Sequence, residues 1–269
     1  MTTNDVAAPA GRTGFKPHGR SWRVSRIWVY RLLFAVGFLA FWQFASGRLA
    51  DPFWISSPSA IFARLTEWVR AGTLQHNLLI TFKETIAGFL MGATAGVLAA
   101  CVAGASDTIR RTIDPFVTAI YGLPKVALAP LFIMWFGIGM APKIVLAAVS
   151  VFFLVFFSTL SGVREVDRKM VDALRTMGAD RLRIQRCVIL PAAMPWIFTG
   201  LKLGLPYGFV GAVAAEMMAS NAGIGFLTQN AAGQLDTAGV FAALFALMVV
   251  TSLLNEGLGR LEAWIFRWR

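Results

Sequence analysis

The sequence predicts an all-α polytopic membrane protein of about six transmembrane helices, with both termini cytoplasmic and one short helix at the cytoplasmic surface. Three observations carry this. Of 269 residues, 57% are hydrophobic and 14% charged, with mean hydropathy +0.65, whereas soluble domains carry about 25% charged residues. Several apolar runs reach the ~20 residues that a helix needs to cross a bilayer. The net charge of +11 is unevenly placed: with loops assigned from those runs, 18 of the 25 Lys and Arg residues fall on one side, which the positive-inside rule makes the cytoplasm. The basicity is topological and is not the footprint of a nucleic-acid partner.

Taken in order, the chain opens on a polar, basic cytoplasmic tail over 1–26, expected to be disordered. A first span with an external amphipathic segment follows over 27–77, then a helical membrane domain over 78–269. The first span, 27–47, stops at Arg48, Asp51 and Pro52. Ser57 before Pro58 is a helix start, an N-cap with Pro at the first helical position. Ile61, Leu65 and Trp68 then form an apolar stripe beside Arg64 and Glu67. That is the pattern of a helix lying in the outer interface, with Trp54 and Trp68 as belt residues.

The second span, 78–104, carries Gly88, Gly92 and Gly96, a spacing that lets helices approach closely in lipid. Lys83 and Glu84 near its outer end mark an interface or a cavity. The third span, 115–138, is interrupted by Pro124 and Pro130, with Lys125 between them. A mid-membrane charge costs about 2.5–3.5 kcal/mol on insertion scales, so Lys125 should face the bundle or a pathway; a structural partner or snorkelling to an interface are the other readings. The fourth span covers 143–163 and the fifth 188–218. The fifth overreaches a ~30 Å hydrocarbon core, and Pro191, Pro195 and Pro206 predict kinks or unwinding within it. Glu216, near its outer end, reads as a gate or subunit-interface carboxylate, or as an acid at the membrane interface. Pro124, Lys125, Pro130 and Glu216 are the pathway or gate candidates. Gly223 to Phe226 reads as a re-entrant or surface turn; no βαβ context makes it a dinucleotide fingerprint. The sixth span, 239–258, leads into a tail of Trp and Arg anchors.

Between the fourth and fifth spans lies the most polar interval, 166–191, with Arg168, Lys169, Arg175, Arg181, Arg183 and Arg186. Met170, Ala173, Leu174 and Met177 recur at the i, i+3, i+4, i+7 spacing of a short amphipathic helix. Asp172 is placed to pair with Arg168 and Arg175 along one face. Gly178 suits the left-handed residue that ends a helix, and Asp180 the N-cap of a second helix returning to the membrane.

This interval resembles the "EAA" signature of the permeases of ABC importers, the binding-protein-dependent transporters: Glu-Ala-Ala, three residues, Gly, nine residues, Ile-x-Leu-Pro. Here Asp172-Ala173-Leu174 is followed by Arg175, Thr176, Met177 and Gly178; nine residues lead to Val188-Ile189-Leu190-Pro191. Asp replaces Glu, Leu the second Ala and Val the Ile, with the spacing intact. The resemblance runs from about residue 54 to the C-terminus. It is closest to the nitrate/sulfonate/taurine-type group, whose stretches are also echoed by LPKVALAPLFIMWFGIG over 123–139, AEMM over 215–218 and GIGF over 223–226. It implies that 166–187 holds a coupling helix that docks into a cytoplasmic ATPase. The coupling residues would be Met170, Asp172, Ala173, Leu174, Arg175, Met177, Gly178 and Asp180, with Leu190 and Pro191 opening the returning helix. It further implies a second copy of the permease, an ABC ATPase dimer that holds the ATP and Mg, and an external periplasmic substrate-binding protein. The expected activity is alternating-access import of a small solute across the bacterial inner membrane: nitrate, a sulfonate, taurine, or a pyrimidine or other vitamin precursor.

No cofactor is expected on this chain. His18 and His76 belong to no ligand cluster, so no metal site is predicted. There is no GxxxxGK[ST] loop, which places ATP hydrolysis on a separate chain. Cys101 and Cys187 do not form a disulfide framework. Two other classes stand against the importer. A secondary transporter or channel working without an ATPase would carry mid-membrane ion-coupling carboxylates or inverted repeats, and neither is evident. An intramembrane enzyme would need a catalytic set, and no nucleophile elbow is present.

Overall fold

The computed structural model describes residues 20–267, and no β-strand occurs among them. The chain divides into two units, 1–51 and 52–269. In the first unit, α1 (Arg20–Ala45) starts several residues ahead of the expected span. Its apolar side chains, Leu32, Phe34, Phe38 and Phe41 among them, are exposed, as befits a helix whose solvent is lipid. Most of the expected basic tail, with His18, lies outside the described residues.

The second unit holds α2 (Pro52–Ile55), α3 (Pro58–Arg70), α4 (Thr73–Gly104), α5 (Asp107–Tyr121), a 3-10 turn (Lys125–Leu128), α6 (Ala129–Phe136), α7 (Met140–Arg164), α8 (Arg168–Thr176), α9 (Arg181–Ile184), a π-turn (Gln185–Ile189), α10 (Leu190–Met218), α11 (Ile224–Gly233) and α12 (Thr237–Ile265). The centre is α7, packed along α4 on one flank and α10 on the other. Its Leu146, Ala147, Val151 and Val155 are wholly buried. The small-residue stripe of α4 makes this approach possible. A Cβ on Gly88 would lie 2.6 Å from the Ala147 Cβ, one on Gly96 2.8 Å from the Phe152 carbonyl oxygen, and one on Gly92 would collide with the Ala148 carbonyl. Phe89, Val151, Val155, Leu205 and Phe209 close the core where α4, α7 and α10 meet.

Among the described residues five helical stretches are long and apolar enough to cross a membrane, and six if the bent pair of α5 with the turn and α6, broken by 84°, is one span. The third span is therefore not the single helix over 115–138 that hydropathy predicts. Pro124 has no N–H to donate and drives Leu123 out of the helical region. Pro130 restarts the helix at α6, in the first turn, where a missing N–H costs nothing. In α10 the correction runs the other way: the helix continues through Pro195 and Pro206, and the irregularity precedes it. The Leu190 N–H reaches back five residues to the Gln185 carbonyl. In an α-turn the Pro191 ring would crowd the carbonyl of Cys187, and the wider π-turn relieves that clash.

The amphipathic helix α3 starts as its sequence dictates, with Ser57 Oγ accepting from the Ala60 N–H at 3.2 Å. It is docked on the bundle as well as amphipathic. Leu65 and Trp68 pack on a cluster of Leu74, Ile224, Leu227, Ala243 and Ala246. Arg64 Nε donates to Asp236 Oδ2 at 2.8 Å, while Asp236 Oδ1 caps α12 by accepting from the Gly239 N–H at 2.9 Å. Asp236, with Glu67 adding to it, raises the pKa of the Arg64 guanidinium.

Candidate functional site

Functional geometry sits at the two ends of α7. At its C-terminal end the chain forms α8 as expected. Asp167 caps it, its Oδ1 accepting from the Lys169 N–H at 2.9 Å. At the far end Gly178 stands at φ +80°. Its N–H donates to the Arg175 carbonyl at 2.9 Å, and the Ala179 N–H to the Leu174 carbonyl at 3.0 Å. This paired closure is the Schellman motif, and it needs a left-handed residue where Gly178 lies. Asp180 then caps α9, its Oδ1 accepting from the Arg183 N–H at 2.9 Å.

The apolar stripe of α8 faces outward. Met170 and Met177 are 59% and 80% exposed, Ala173 is exposed, and only Val171 and Leu174 are half-buried. Arg175 Nη1 lies 3.4 Å from Asp172 Oδ1 in an exposed pair; the predicted partner Arg168 has its side chain outside the described residues. Behind α8 is a cavity of about 630 Å3 lined by Ser106, Arg110, Arg164, Asp172, Arg175 and Gln185. Leu190 and Pro191 are not part of the α8 surface; they open α10 behind the π-turn. The indole N–H of Trp196 donates to Glu165 Oε2 at 3.0 Å, and Ser158 Oγ to the Trp196 carbonyl at 2.7 Å. These bonds tie α10 to α7 one turn above α8.

At the other end of α7 lies a cluster that sequence reasoning missed. Lys143 Nζ donates to Glu84 Oε1 at 2.9 Å and to Ser220 Oγ at 2.7 Å. Glu84 is fully buried and Lys143 is 6% exposed. Glu216, 1% exposed, is thus buried within the bundle and not on the surface of the chain. Its Oε1 accepts from Thr81 Oγ1 at 2.7 Å and its Oε2 from the Gly225 N–H at 2.6 Å. The Gly223 N–H donates to Asn77 Oδ1 at 2.7 Å, and the Ile224 N–H to Thr81 Oγ1 at 2.8 Å.

The three N–H groups at the start of α11 are therefore capped by side chains of α4 and α10, and a carboxylate at a helix N-terminus is also favoured by the helix dipole. Residues 223–226 are therefore not a surface turn: they begin a buried helix. Gly223 has φ +113°, and a Cβ there would fall on the Glu216 carboxyl; one on Gly225 would lie 2.7 Å from the Glu216 Cβ. A signal existed for part of this. Asn77, Thr81 and Glu84 are spaced i, i+4, i+7, a polar stripe on an otherwise apolar helix. Nothing local in the sequence assigns Lys143 to it.

The remaining candidates gather at the break between α5 and α6. Pro124 opens the 3-10 turn, Pro130 lies in the first turn of α6, and Lys125 is half-buried between them. Lys125 Nζ donates to the Tyr121 carbonyl at 2.5 Å and sits over the Tyr121 ring, 4.0 Å from its centroid. The structure does not join this group to the Glu216 cluster.

The described residues form an apolar bundle with an exposed amphipathic helix at one end of α7 and a buried polar cluster at the other, the build of a helical membrane protein. The comparisons make that specific. Residues 92–267 match the model of the family described as binding-protein-dependent transport system inner membrane component, and the chain belongs to that family. The taurine transport system permease protein TauC of Escherichia coli (strain K12) is 30% identical over 92% of this chain and 92% of its own length. The riboflavin transport system permease protein RibX of Chloroflexus aurantiacus is 30% identical over 86% of each. Among solved structures, the inward-facing MetNI methionine ABC transporter matches 74% of this chain and 96% of its own with a TM-score of 0.60 at 20% identity, a likeness of fold.

Proposed function

We propose that this chain is the pathway-forming subunit of an ATP-driven importer for a small sulfonate such as taurine, in a bacterial inner membrane, with α8 on the cytoplasmic side. Two copies form the pathway. A cytoplasmic ABC ATPase dimer carrying ATP and Mg receives the two α8 helices, and a periplasmic binding protein delivers the solute. The observation that carries this reading is the outward stripe of Met170, Ala173 and Met177 on a helix fixed at both ends. An apolar stripe left in water on a rigid element is a docking surface for a hydrophobic cleft.

The mechanism follows from what α8 is tied to. Asp167 joins it to the end of α7, and the Gly178 turn joins it through α9 and the π-turn to α10. Closure of the ATPase pair displaces α8 into the cavity behind it, and the two flanking helices move with it. Coupling then requires that α8 contacts differ between the two states of the pathway. The test is Gly178→Val in the reconstituted complex. A β-branched residue at φ +80° costs about 1–2 kcal/mol, enough to tilt α8 without unfolding the bundle. The expected outcome is an assembled complex whose ATP hydrolysis no longer drives uptake. Coupled uptake at the wild-type rate would remove α8 from the mechanism, and uptake without any ATPase would replace the importer by a secondary transporter.

A further inference from the structure

Four lysines lie in or between the apolar helices of the second unit, and they are not equivalent. Lys143 is paired with Glu84 and Lys202 with Glu262. Lys83 lies on the exposed face of α4, where a flexible stem carries its ammonium along the helix toward an interface. Lys125 differs from all three. Among the described residues no carboxylate pairs with it. Its ammonium uses one N–H on the Tyr121 carbonyl and rests on the faces of Tyr121 and Phe153, with centroids at 4.0 and 5.5 Å. Tyr121 is itself held against α7 by Phe153 and Phe157, so the bed under the ammonium is fixed. An ammonium has three donors; two remain directed away from the carbonyl.

The backbone at this point is also special. Lys125 stands where the bent span is broken by 84°, and irregular backbone at membrane depth is tolerated where protein or a water-filled cavity adjoins it. A cation held there on aromatic faces, without a counter-ion among the described residues, is matched by an anion that comes and goes. We infer that Lys125 is the substrate contact of the translocation pathway and that it recognises the anionic group of the solute, a sulfonate. This rests on the import reading above and deepens it. It places the recognition of charge at the α5–α6 break, and leaves Lys143, already paired with Glu84, and Glu216, already bonded to Thr81 and the Gly225 N–H, outside substrate contact.

The test uses the complete complex with its ATPase and binding protein in liposomes. ATP-driven uptake of taurine, ethanesulfonate and riboflavin is measured for wild type, K125Q and K125R, alongside complex yield and ATP hydrolysis stimulated by the loaded binding protein. The expected result for K125Q is sulfonate uptake lowered about tenfold to a hundredfold, the loss of one hydrogen bond to a charged group. Yield and stimulated hydrolysis stay at the wild-type level, and K125R recovers much of the uptake. Unchanged sulfonate uptake by K125Q overturns the inference. So does a parallel fall of yield, hydrolysis and uptake, which makes Lys125 a cap on the last carbonyls of α5. Wild-type uptake of riboflavin alone overturns it together with the sulfonate part of the reading above, while ATP-driven import stands. Absence of ATP-driven uptake of all three compounds removes the import reading first, and this inference with it.

Discussion

The two ends of α7 solve opposite problems with similar residues. At one end α8 is amphipathic, charged and exposed, and its geometry is set by its own caps, Asp167 and Gly178. At the other end α11 has no capping side chain of its own, and its first N–H groups are satisfied by Asn77, Thr81 and Glu216 from distant parts of the chain. A locally specified element holds its shape while its contacts change, which suits a piece that docks and moves. An element specified by long-range buried bonds is stable only while three helices stay in register, which suits a fixed joint. The cost of losing one group differs accordingly: in water a charge is rehydrated, whereas in the bundle its partner is stranded.

The sharpest way to break this comparison is Lys143→Met. It strands the Glu84 carboxylate in the core, and removing one partner of a buried pair costs about 3–5 kcal/mol. The detergent-solubilised protein should unfold well below wild type or fail to accumulate. The double variant Lys143→Met, Glu84→Gln should regain a large part of that loss. A single variant with wild-type thermal stability would mean that the pair is not a joint.

Next comes Gly223→Ala. The left-handed backbone alone costs about 1–2 kcal/mol with a Cβ, and the added methyl displaces the Glu216 carboxyl. Limited proteolysis should cut between α10 and α11 faster than in wild type while α8 remains as protected as before. Equal cleavage rates would show α11 to be held by its apolar contacts.

The smallest effect sharpens the other side. Asp172→Asn removes an exposed ion pair with Arg175, worth at most about 1 kcal/mol. The melting temperature should hardly move, whereas affinity for the partner ATPase should fall, by an amount that shrinks as salt rises and screens the missing charge. A melting shift as large as that of Lys143→Met would erase the distinction between the two ends.

Much of the α8 region was legible beforehand because every feature there is local. The stripe of Met170 and Met177, the stop at Gly178 and the cap at Asp180 lie within a dozen residues and need no other part of the fold. The GxxxG stripe was legible as a close approach, but its partner α7 was not, because spacing names a face and not what meets it. Pro124 and Pro130 announced an interruption of the third span; the 84° bend depended on where α6 could pack, against Leu146 and Ala215. Proline content misled in α10, where Pro195 and Pro206 are absorbed within the helix and the distortion moved ahead of Pro191.

By itself the sequence determined the class of molecule. Apolar length and charge asymmetry are sums over local segments, and they settle which segments can live in lipid. It determined α8 as well, since caps and periodicity act over a single turn. The tertiary structure decided which buried polar groups meet: Lys143 pairs with Glu84, and Glu216 accepts from Thr81 and from the Gly225 N–H. Glu84, Lys143 and Glu216 lie 59 and 73 residues apart in turn, and no rule of local spacing joins them. Only the packing of α4 and α10 on either side of α7 brings them within hydrogen-bonding reach of one joint. The same packing sets Lys125 on the rings of Tyr121 and Phe153 with no carboxylate pairing it among the described residues, whereas Lys143 is paired with Glu84.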